Sequence, residues 1–376
     1  MKVLLLIRQL AVGGAERQLI NVARGLKSRE IDVQVAVFYG GGALEPELSS
    51  HDIPIFYLRK SGRWDVFAFL FRFLKFISTI RPSIIYGFLT GPNLCALVAR
   101  ARFRNQVIIW GIRAATGDRS IRRKDSIVRF AFWLSKVLAM LPDRIIANSI
   151  SSRNYLIGEG FPSHRVTIIP NGTDMRRFVL RTSSRQDIRA SYGVPDTALL
   201  IGIVARVDPI KDHSTFIHAA GLFLEKSPDT VFMVIGGGSP EYIAQLKSLS
   251  SAQQLGPNLI WAGEQYDIVG YYNALDINTL TSKSESFPNS LCEAMACGTP
   301  CVSTNVGDAR RIIDKPELLF QVGDVAGLVT AWQNVLTLQS NRALTKAKLI
   351  DHIASHFSED LMVDKTIAQF YSHLSS

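Results

Sequence analysis

The sequence predicts an α/β protein made of two doubly wound, parallel-sheet domains in series. Three observations lead there. Short apolar runs of strand length alternate with helical stretches through most of the 376 residues. The alternation pauses at Val179–Asp196, a polar stretch of little periodicity, and then restarts. A hydrophobic fraction of 47% is ordinary for a globular chain, and the length is enough to bury two cores.

In the first half, strands are expected at Val3–Ile7, Val33–Phe38, Ile84–Phe88, Val107–Ile109, Arg144–Ala147 and Val166–Ile169. Helices are expected at Ala15–Ser28 and Asp65–Ile80. The second half restarts with Leu199–Val204, Val231–Ile235, Leu259–Trp261, Ile277–Leu280 and Pro300–Ser303. The predicted domains are residues 1–180 and 197–357, with Val179–Asp196 as the linker. A final helix over residues 358–376 is expected to pack back on the first domain. Doubly wound sheets hold their ligands at the carboxyl ends of the strands, so chemistry is sought there.

Composition narrows the function classes. Cys95, Cys292, Cys297 and Cys301 are too few for a disulfide scaffold. Three of them cluster without a nearby His or a C-x2-C pair, which reads as buried thiols in a reducing compartment and not as a metal site. The start, MKVLLLIRQL, lacks a small-residue cleavage site and reads as a first strand. The apolar stretch 66–80 is interrupted by Arg72 and Lys75 and is too short to span a bilayer comfortably. A cytoplasmic protein is expected. The net charge of +10 is uneven: residues 1–180 hold 27 Lys and Arg against 12 Asp and Glu, the remainder 15 against 20. A basic first half points to an anionic partner, whether nucleic acid, anionic lipid or a phosphorylated acceptor.

Three motifs carry chemistry. Gly13 and Gly14 follow the first strand and open a helix, where small residues and free N–H groups let an anion approach. Arg206 and Lys211 follow the strand Leu199–Val204, so two cations five residues apart can converge on one polyanion. Mutual pairing with Asp208 and Asp212 is the alternative. The third motif runs from Glu285 to Pro300. Pro288 and Asn289 read as a helix start, Gly298 and Pro300 as its stop. The N–H groups of Asn289, Ser290 and Leu291 would face a phosphate, bracketed by the carboxylates of Glu285 and Glu293.

This last stretch, ESFPNSLCEAMACGTPCVST, resembles the E-x7-E signature of the family 4 retaining glycosyltransferases, bacterial enzymes of polysaccharide and glycoconjugate assembly with the GT-B fold of two Rossmann-like domains. GGAER (13–17), RPSIIYGF (81–88), IIPNGTDMRRF (168–178), VARVDPIKD, VIGGG (234–238) and GEQYDIVGYYNALDI (263–277) resemble other family segments in the same order. The resemblance covers residues 1–308. It implies a sugar transferred from a UDP- or GDP-linked donor to a glycan or polyprenyl-linked acceptor, with retention of configuration. It implies that Arg206 and Lys211 hold the diphosphate as leaving group, where fixed cations lower the barrier. Glu293 would bind ribose hydroxyls and Glu285 the transferred sugar. The amides of Asn289, Ser290 and Leu291, with Gly13 and Gly14, would contact phosphate or sugar. No D-x-D pair is present, so the cationic pair would replace a metal, and no cofactor beyond the nucleotide sugar is implied.

One departure concerns the His that many relatives carry after a mid-sheet strand of the first domain. None lies between His51 and His164 here, and Arg113 occupies the neighbourhood, a candidate for an acidic acceptor or a donor phosphate. Two aromatic and basic stretches suit an anionic membrane surface. Residues 63–81 carry Trp64, Phe67, Phe69, Phe71, Phe73 and Phe76 with Arg72 and Lys75; residues 122–141 carry Phe130, Phe132 and Trp133. Peripheral association with the inner face of the cytoplasmic membrane is therefore expected. Rival readings are a nucleotide-sugar epimerase of the same architecture and a non-catalytic anion- or nucleic-acid-binding protein. The latter calls for basic–aromatic motifs that the chain lacks. A nicotinamide dehydrogenase calls for G-x-G-x-x-G after the first strand, and that is also missing.

Overall fold

A computed structural model of the chain describes residues 1–62, 64–103, 105–113, 126–338 and 342–374. It divides into two compact units, Met1–Gly172 with Glu359–Ser376, and Thr173–Ser358.

The first unit holds a parallel sheet of seven strands. They are β1 (Lys2–Ile7), β2 (Asp32–Val37), β3 (Ile55–Tyr57), β4 (Ile84–Phe88), β5 (Val107–Ile112), β6 (Arg144–Ala147) and β7 (Val166–Ile168), in the order β3-β2-β1-β4-β5-β6-β7. Side chains of a strand alternate between faces, and β1 is apolar on both. Val3, Leu5 and Ile7 meet Leu19, Val22 and Leu26 of helix Gly14–Lys27 together with Met362, Val363 and Phe370 of helix Glu359–Leu374. Leu4 and Leu6 face the opposite layer, with Phe69, Phe73 and Ile77 of helix Phe67–Ile80 and Ala96 and Ala99 of helix Thr90–Arg102. A strand covered on both sides reads as a continuous apolar run, which is what LLLI is.

The second unit holds a six-stranded parallel sheet of β8 (Leu200–Val204), β9 (Val231–Ile235), β10 (Leu259–Gly263), β11 (Ile277–Leu280), β12 (Cys301–Thr304) and β13 (Leu319–Phe320), in the order β10-β9-β8-β11-β12-β13. One face centres on Phe216, Phe223, Phe232 and Trp332, whose rings meet mostly edge to face. The Trp332 indole N–H donates to Thr279 Oγ1 at 3.0 Å, so the large ring is buried without an orphan donor. Leu200, Met233 and Ile235 line the other face with Tyr271 and Leu275.

The expected linker is structured. Residues Thr182–Ser191 form a helix that belongs to the second unit. Its inward face combines Arg185 and Arg189 with a single aliphatic residue, Ile188, packed beside Tyr271 and Leu275, which is why it carries little apolar periodicity. Arg189 is 1% exposed and donates to Asp276 at 2.6 Å, and Arg185 donates to the same carboxylate at 2.9 Å. Asp276 also accepts the Leu200 N–H at 2.9 Å, which fixes the helix to the start of β8. The chain passes from one unit to the other at residues 172/173 and 358/359, where limits at 180 and 197 were expected. The short edge strands β3 and β13, of three and two residues, leave too little pattern to be read from the sequence.

Candidate functional site

In each sheet the strand order reverses between the first strand and its neighbour, at β1 and β4 and at β8 and β11. Loops leaving such adjacent strands at their carboxyl ends diverge to opposite faces and leave a crevice. In the second unit, the loop after β8 carries Arg206 and Lys211, and the loop after β11 carries Glu285. Backbone and side chain tie the two loops together. Lys283 N–H donates to Ile210 O at 2.8 Å, and Thr281 Oγ1 donates to Lys211 O at 2.8 Å. The Lys211 ammonium then donates to Glu285 Oε1 at 2.5 Å, and Ser282 Oγ donates to the same oxygen at 2.7 Å. Lys211 and Glu285, far apart in sequence, thus form one charged pair with side chains 25% and 13% exposed.

Arg206 takes a different partner. Its Nε and Nη2 donate to Asp208 Oδ2 at 2.7 and 2.6 Å, and its side chain is 75% exposed. The alternative of mutual pairing with nearby aspartates therefore holds for Arg206 and fails for Lys211. Asp212 is buried, accepts from the hydroxyls of Ser214 and Thr215 at 2.6 and 2.8 Å, and faces Lys283 at 3.7 Å.

The helix expected at the third motif spans Asn289–Ala296. The loop before it is seated by Gly307, whose φ of +56° and close backbone exclude a side chain: a Cβ there would lie 2.5 Å from Ser286 O and 2.6 Å from Glu285 O. Ser290 N–H has no acceptor among the described residues, consistent with a start that can receive an anion. Leu291, the third amide expected at the phosphate, has a partner within its own turn. Its N–H donates to Pro288 O at 3.2 Å and the residue is fully buried, because the first turn closes on itself. Glu293 is fixed by a residue not singled out in the sequence. The Tyr272 hydroxyl donates to Glu293 Oε2 at 2.8 Å, and Tyr272 O accepts from Thr299 Oγ1 at 2.7 Å. Burial, and after it the Glu293 carboxylate, pushes the Tyr272 phenol well up, so it remains a donor. Cys292, Cys297 and Cys301 are buried free thiols. Burial pushes the last two up to about 12 and keeps them inert.

A second missed residue is His213, the first residue of helix His213–Leu224 and fully buried. Neither ring nitrogen has a hydrogen-bond partner among the described residues. Burial lowers its pKa to about 4, so it is neutral at physiological pH. A cavity lined by Arg185, Asp276, Gly298 and Lys346 contains none of the candidate residues and belongs to the structural ion cluster.

The first unit holds the remaining candidates. Gly13 is the cap of helix Gly14–Lys27, and a Cβ on it would lie 2.3 Å from Glu16 Oε2. The Glu16 carboxylate folds back over the helix start beside Gly13 and Gly14, where an anion would otherwise settle. Burial raises its pKa. Arg113 follows β5; its Nη1 donates to Asn171 Oδ1 at 2.5 Å, and its guanidinium lies over the Phe88 ring at 4.9 Å. Its Nε is buried with no partner among the described residues.

The structure sorts the aromatic stretches. Phe69 and Phe73 are core residues and Phe76 packs on Phe56, whereas Trp64, Phe67 and Phe71 are 85%, 88% and 71% exposed. In helix Ser126–Val137, Phe132 packs on Phe161, and Phe130 and Trp133 are exposed with their rings 5.7 Å apart. Helix Thr90–Arg102 packs against both helices. Arg63 and residues 122–125, included in the expected membrane stretches, lie outside the described residues. Among the described residues no helix is long and apolar enough to cross a membrane.

Comparison with known proteins agrees with this architecture. The Glycosyltransferase Family 4 family matches residues 12–177, and the Glycosyl transferases group 1 family matches residues 184–349. A D-inositol 3-phosphate glycosyltransferase of Rhodococcus jostii is 26% identical over 61% of this chain and 52% of its own length. The UDP-Gal:alpha-D-GlcNAc-diphosphoundecaprenol alpha-1,3-galactosyltransferase of Escherichia coli is 24% identical over 62% of this chain and 64% of its own. The chain spans about half the length of the inositol-phosphate relatives it matches. Among solved structures, Anabaena HepE in complex with UDP superposes with a TM-score of 0.85 at 20% identity, covering 99% of this chain and 100% of that one. The two family matches lie side by side over most of the sequence, each on its own doubly wound sheet, and the chain belongs to the family 4 glycosyltransferases of the GT-B fold.

Proposed function

We propose that this chain moves a sugar from a nucleoside diphosphate donor to a glycan or lipid-linked acceptor, with retention of configuration and without a bound metal. The observation that carries the reading is the joining of Lys211 to Glu285 at 2.5 Å across the β8–β11 crevice. A cation for the departing diphosphate and a carboxylate for sugar hydroxyls are then within one bond length of each other's place. Arg206 supplies a second cation, the helix start at Asn289 and Ser290 supplies N–H dipoles, and Glu293, held by Tyr272, accepts from the ribose. Charge that develops on the diphosphate as the glycosidic bond breaks is met by groups already in position.

HepE has been solved with UDP and with UDP-glucose, and the E. coli relative is named for UDP-Gal, which favours a uridine-linked donor here. The relatives' acceptors, an inositol 3-phosphate and a diphosphoundecaprenol-linked sugar, carry phosphate. Arg113, with its unpartnered Nε, is the candidate for such an anion. Gly13 and Gly14 remain candidates for donor contact, on the condition that Glu16 swings away. The exposed Trp64, Phe67, Phe71, Phe130 and Trp133 sit on a basic unit and support peripheral attachment to an anionic membrane, on the cytoplasmic face, in polysaccharide assembly.

The deciding experiment has two stages. Thermal shift against UDP, GDP and a panel of nucleotide sugars identifies the donor. A product assay with that donor then separates transfer from epimerisation, because an epimerase releases free sugar or nucleotide with no acceptor glycosylated. Stabilisation by no nucleotide in the panel would sink the proposal.

A further inference from the structure

We propose that Asp208 is the positioning residue of the cationic pair, a single carboxylate that presets both Arg206 and Lys211 for a nucleoside diphosphate. The inference rests on the donor-site reading above. Each oxygen of Asp208 has its own task. Oδ2 accepts from Arg206 Nε at 2.7 Å and Nη2 at 2.6 Å and so holds the guanidinium plane. Oδ1 accepts from the backbone N–H groups of Ile210 at 2.9 Å and Lys211 at 3.2 Å and so closes the turn that delivers Lys211. The Lys211 N–H also reaches the Asp208 carbonyl at 3.0 Å. Pro209 completes the turn, since it fixes φ and has no N–H to satisfy.

The physical case is one of preorganisation. The Arg206 side chain is 75% exposed and, without a partner, would populate many rotamers. A cation already oriented loses less entropy when the ligand arrives. Lys211 is fixed at both ends, its backbone by Asp208 and its ammonium by Glu285. Against this stands a direct electrostatic cost, because a carboxylate between two cations repels a diphosphate. The two effects have opposite signs, so neutralising Asp208 tells them apart.

The test measures UDP affinity by isothermal titration calorimetry, with GDP in its place if GDP is the nucleotide that binds the wild-type protein, and with the nucleoside alone as control. Asp208→Asn keeps an oxygen for the turn and loses the charge that holds Arg206. Asp208→Ala loses both. The diphosphate should bind most tightly to the wild type, less to Asp208→Asn and roughly ten-fold less to Asp208→Ala, with nucleoside affinity equal in all three. Added to an Arg206→Ala, Lys211→Ala double variant, Asp208→Ala should cost nothing more, because the groups it acts through are gone. Should Asp208→Ala fold poorly, as judged by melting temperature, Asp208→Asn carries the comparison. Equal or tighter diphosphate binding in the Asp208 variants, or a fully additive loss in the triple variant, overturns the proposal while leaving the donor site intact. Wild-type diphosphate affinity in both Arg206→Ala and Lys211→Ala overturns the donor-site reading and this inference with it.

Discussion

Substituting Lys211 by Ala separates stability from chemistry. The ammonium lies 2.5 Å from Glu285 Oε1, with both side chains mostly shielded. At an effective dielectric of about 20 the gross attraction at this distance is ~7 kcal/mol, but much of it is offset by the desolvation of both charges. What the variant loses is therefore set by the group left behind. Glu285 keeps the Ser282 hydroxyl as a donor, so its stranding costs about 1–3 kcal/mol, or about 2–4 °C of melting temperature per kcal/mol. The effect on turnover is larger. A donor aimed at charge that grows in the transition state contributes about 10²–10³ in rate, so Lys211→Ala should slow nucleotide release from the donor by that factor. Glu285→Gln keeps an oxygen for Lys211 and should weaken UDP binding less than Lys211→Ala does, while lowering kcat/KM for the nucleotide sugar through the sugar contact proposed for it. The assay is UDP release from the nucleotide sugar, in water or with acceptor, alongside a thermal melt. A Lys211→Ala protein that melts a few degrees lower and turns over at the wild-type rate would refute the placement of Lys211 at the leaving group.

Further outcomes follow from individual contacts. Tyr272→Phe removes the hydroxyl that steadies Glu293, and Glu293→Ala removes the group proposed to accept from the ribose; both should weaken UDP binding in calorimetry, the second more, by about ten-fold. His213 has a folded pKa of about 4 against about 6.5 unfolded, so the unfolded chain binds more protons between these values; stability present above pH 6.5 should fall by a few kcal/mol as pH drops toward 4, and urea titrations of His213→Met should lack that slope. Asp276→Ala strands the buried Arg189 and should cost about 3–5 kcal/mol in urea unfolding, far more than Asp208→Ala on the exposed loop. Phe130→Ser with Trp133→Ser should leave the melting temperature nearly unchanged and abolish flotation with anionic liposomes at low salt; full flotation of the double variant would remove this helix from the membrane surface.

The fold was legible because a parallel sheet covered on both faces writes itself as apolar runs. LLLI of β1 and LIGIV of β8 need no alternation, and helices of ordinary period separate them. The candidate site was legible in part for the same reason, since strand ends at a switch point locate the loops that matter. What stayed hidden was pairing. Asp208 and Asp212 have similar sequence settings, four residues apart on either side of Lys211, yet one holds Arg206 and the other serves Ser214, Thr215 and Lys283. The helix Thr182–Ser191 shows the same limit at larger scale: two of its inward residues are Arg185 and Arg189, whose charge is met by Asp276, far along the chain.

These hidden partners share a trait. Asp208 and Tyr272 each touch a residue whose type announced a function, Asp276 touches the arginines of a helix the sequence left hidden, and each acts by fixing its partner's geometry. A motif reports which chemical groups a reaction needs, because those types have few substitutes. The groups that aim them have many, since any acceptor at the right distance will hold an arginine and any buried hydroxyl will hold a glutamate. Sequence spacing therefore carries little trace of them, and they become visible only when two loops or a helix and a strand are brought into register. In this chain the two cations proposed for the diphosphate and Asp208 come from one short stretch, 206–211, so the aim of Arg206 and of the Lys211 backbone is a local property of the turn and only the Lys211 ammonium reaches outside it, to Glu285, whereas the aim of Glu293 depends on the packing of helix Ile268–Ala274. Mild destabilisation of the second unit should accordingly loosen ribose recognition before it disturbs the grip on the diphosphate. Raising urea below the unfolding transition should weaken uridine binding earlier than it lowers the affinity difference between UDP and uridine, and the reverse order would show that the cation turn is the softer part.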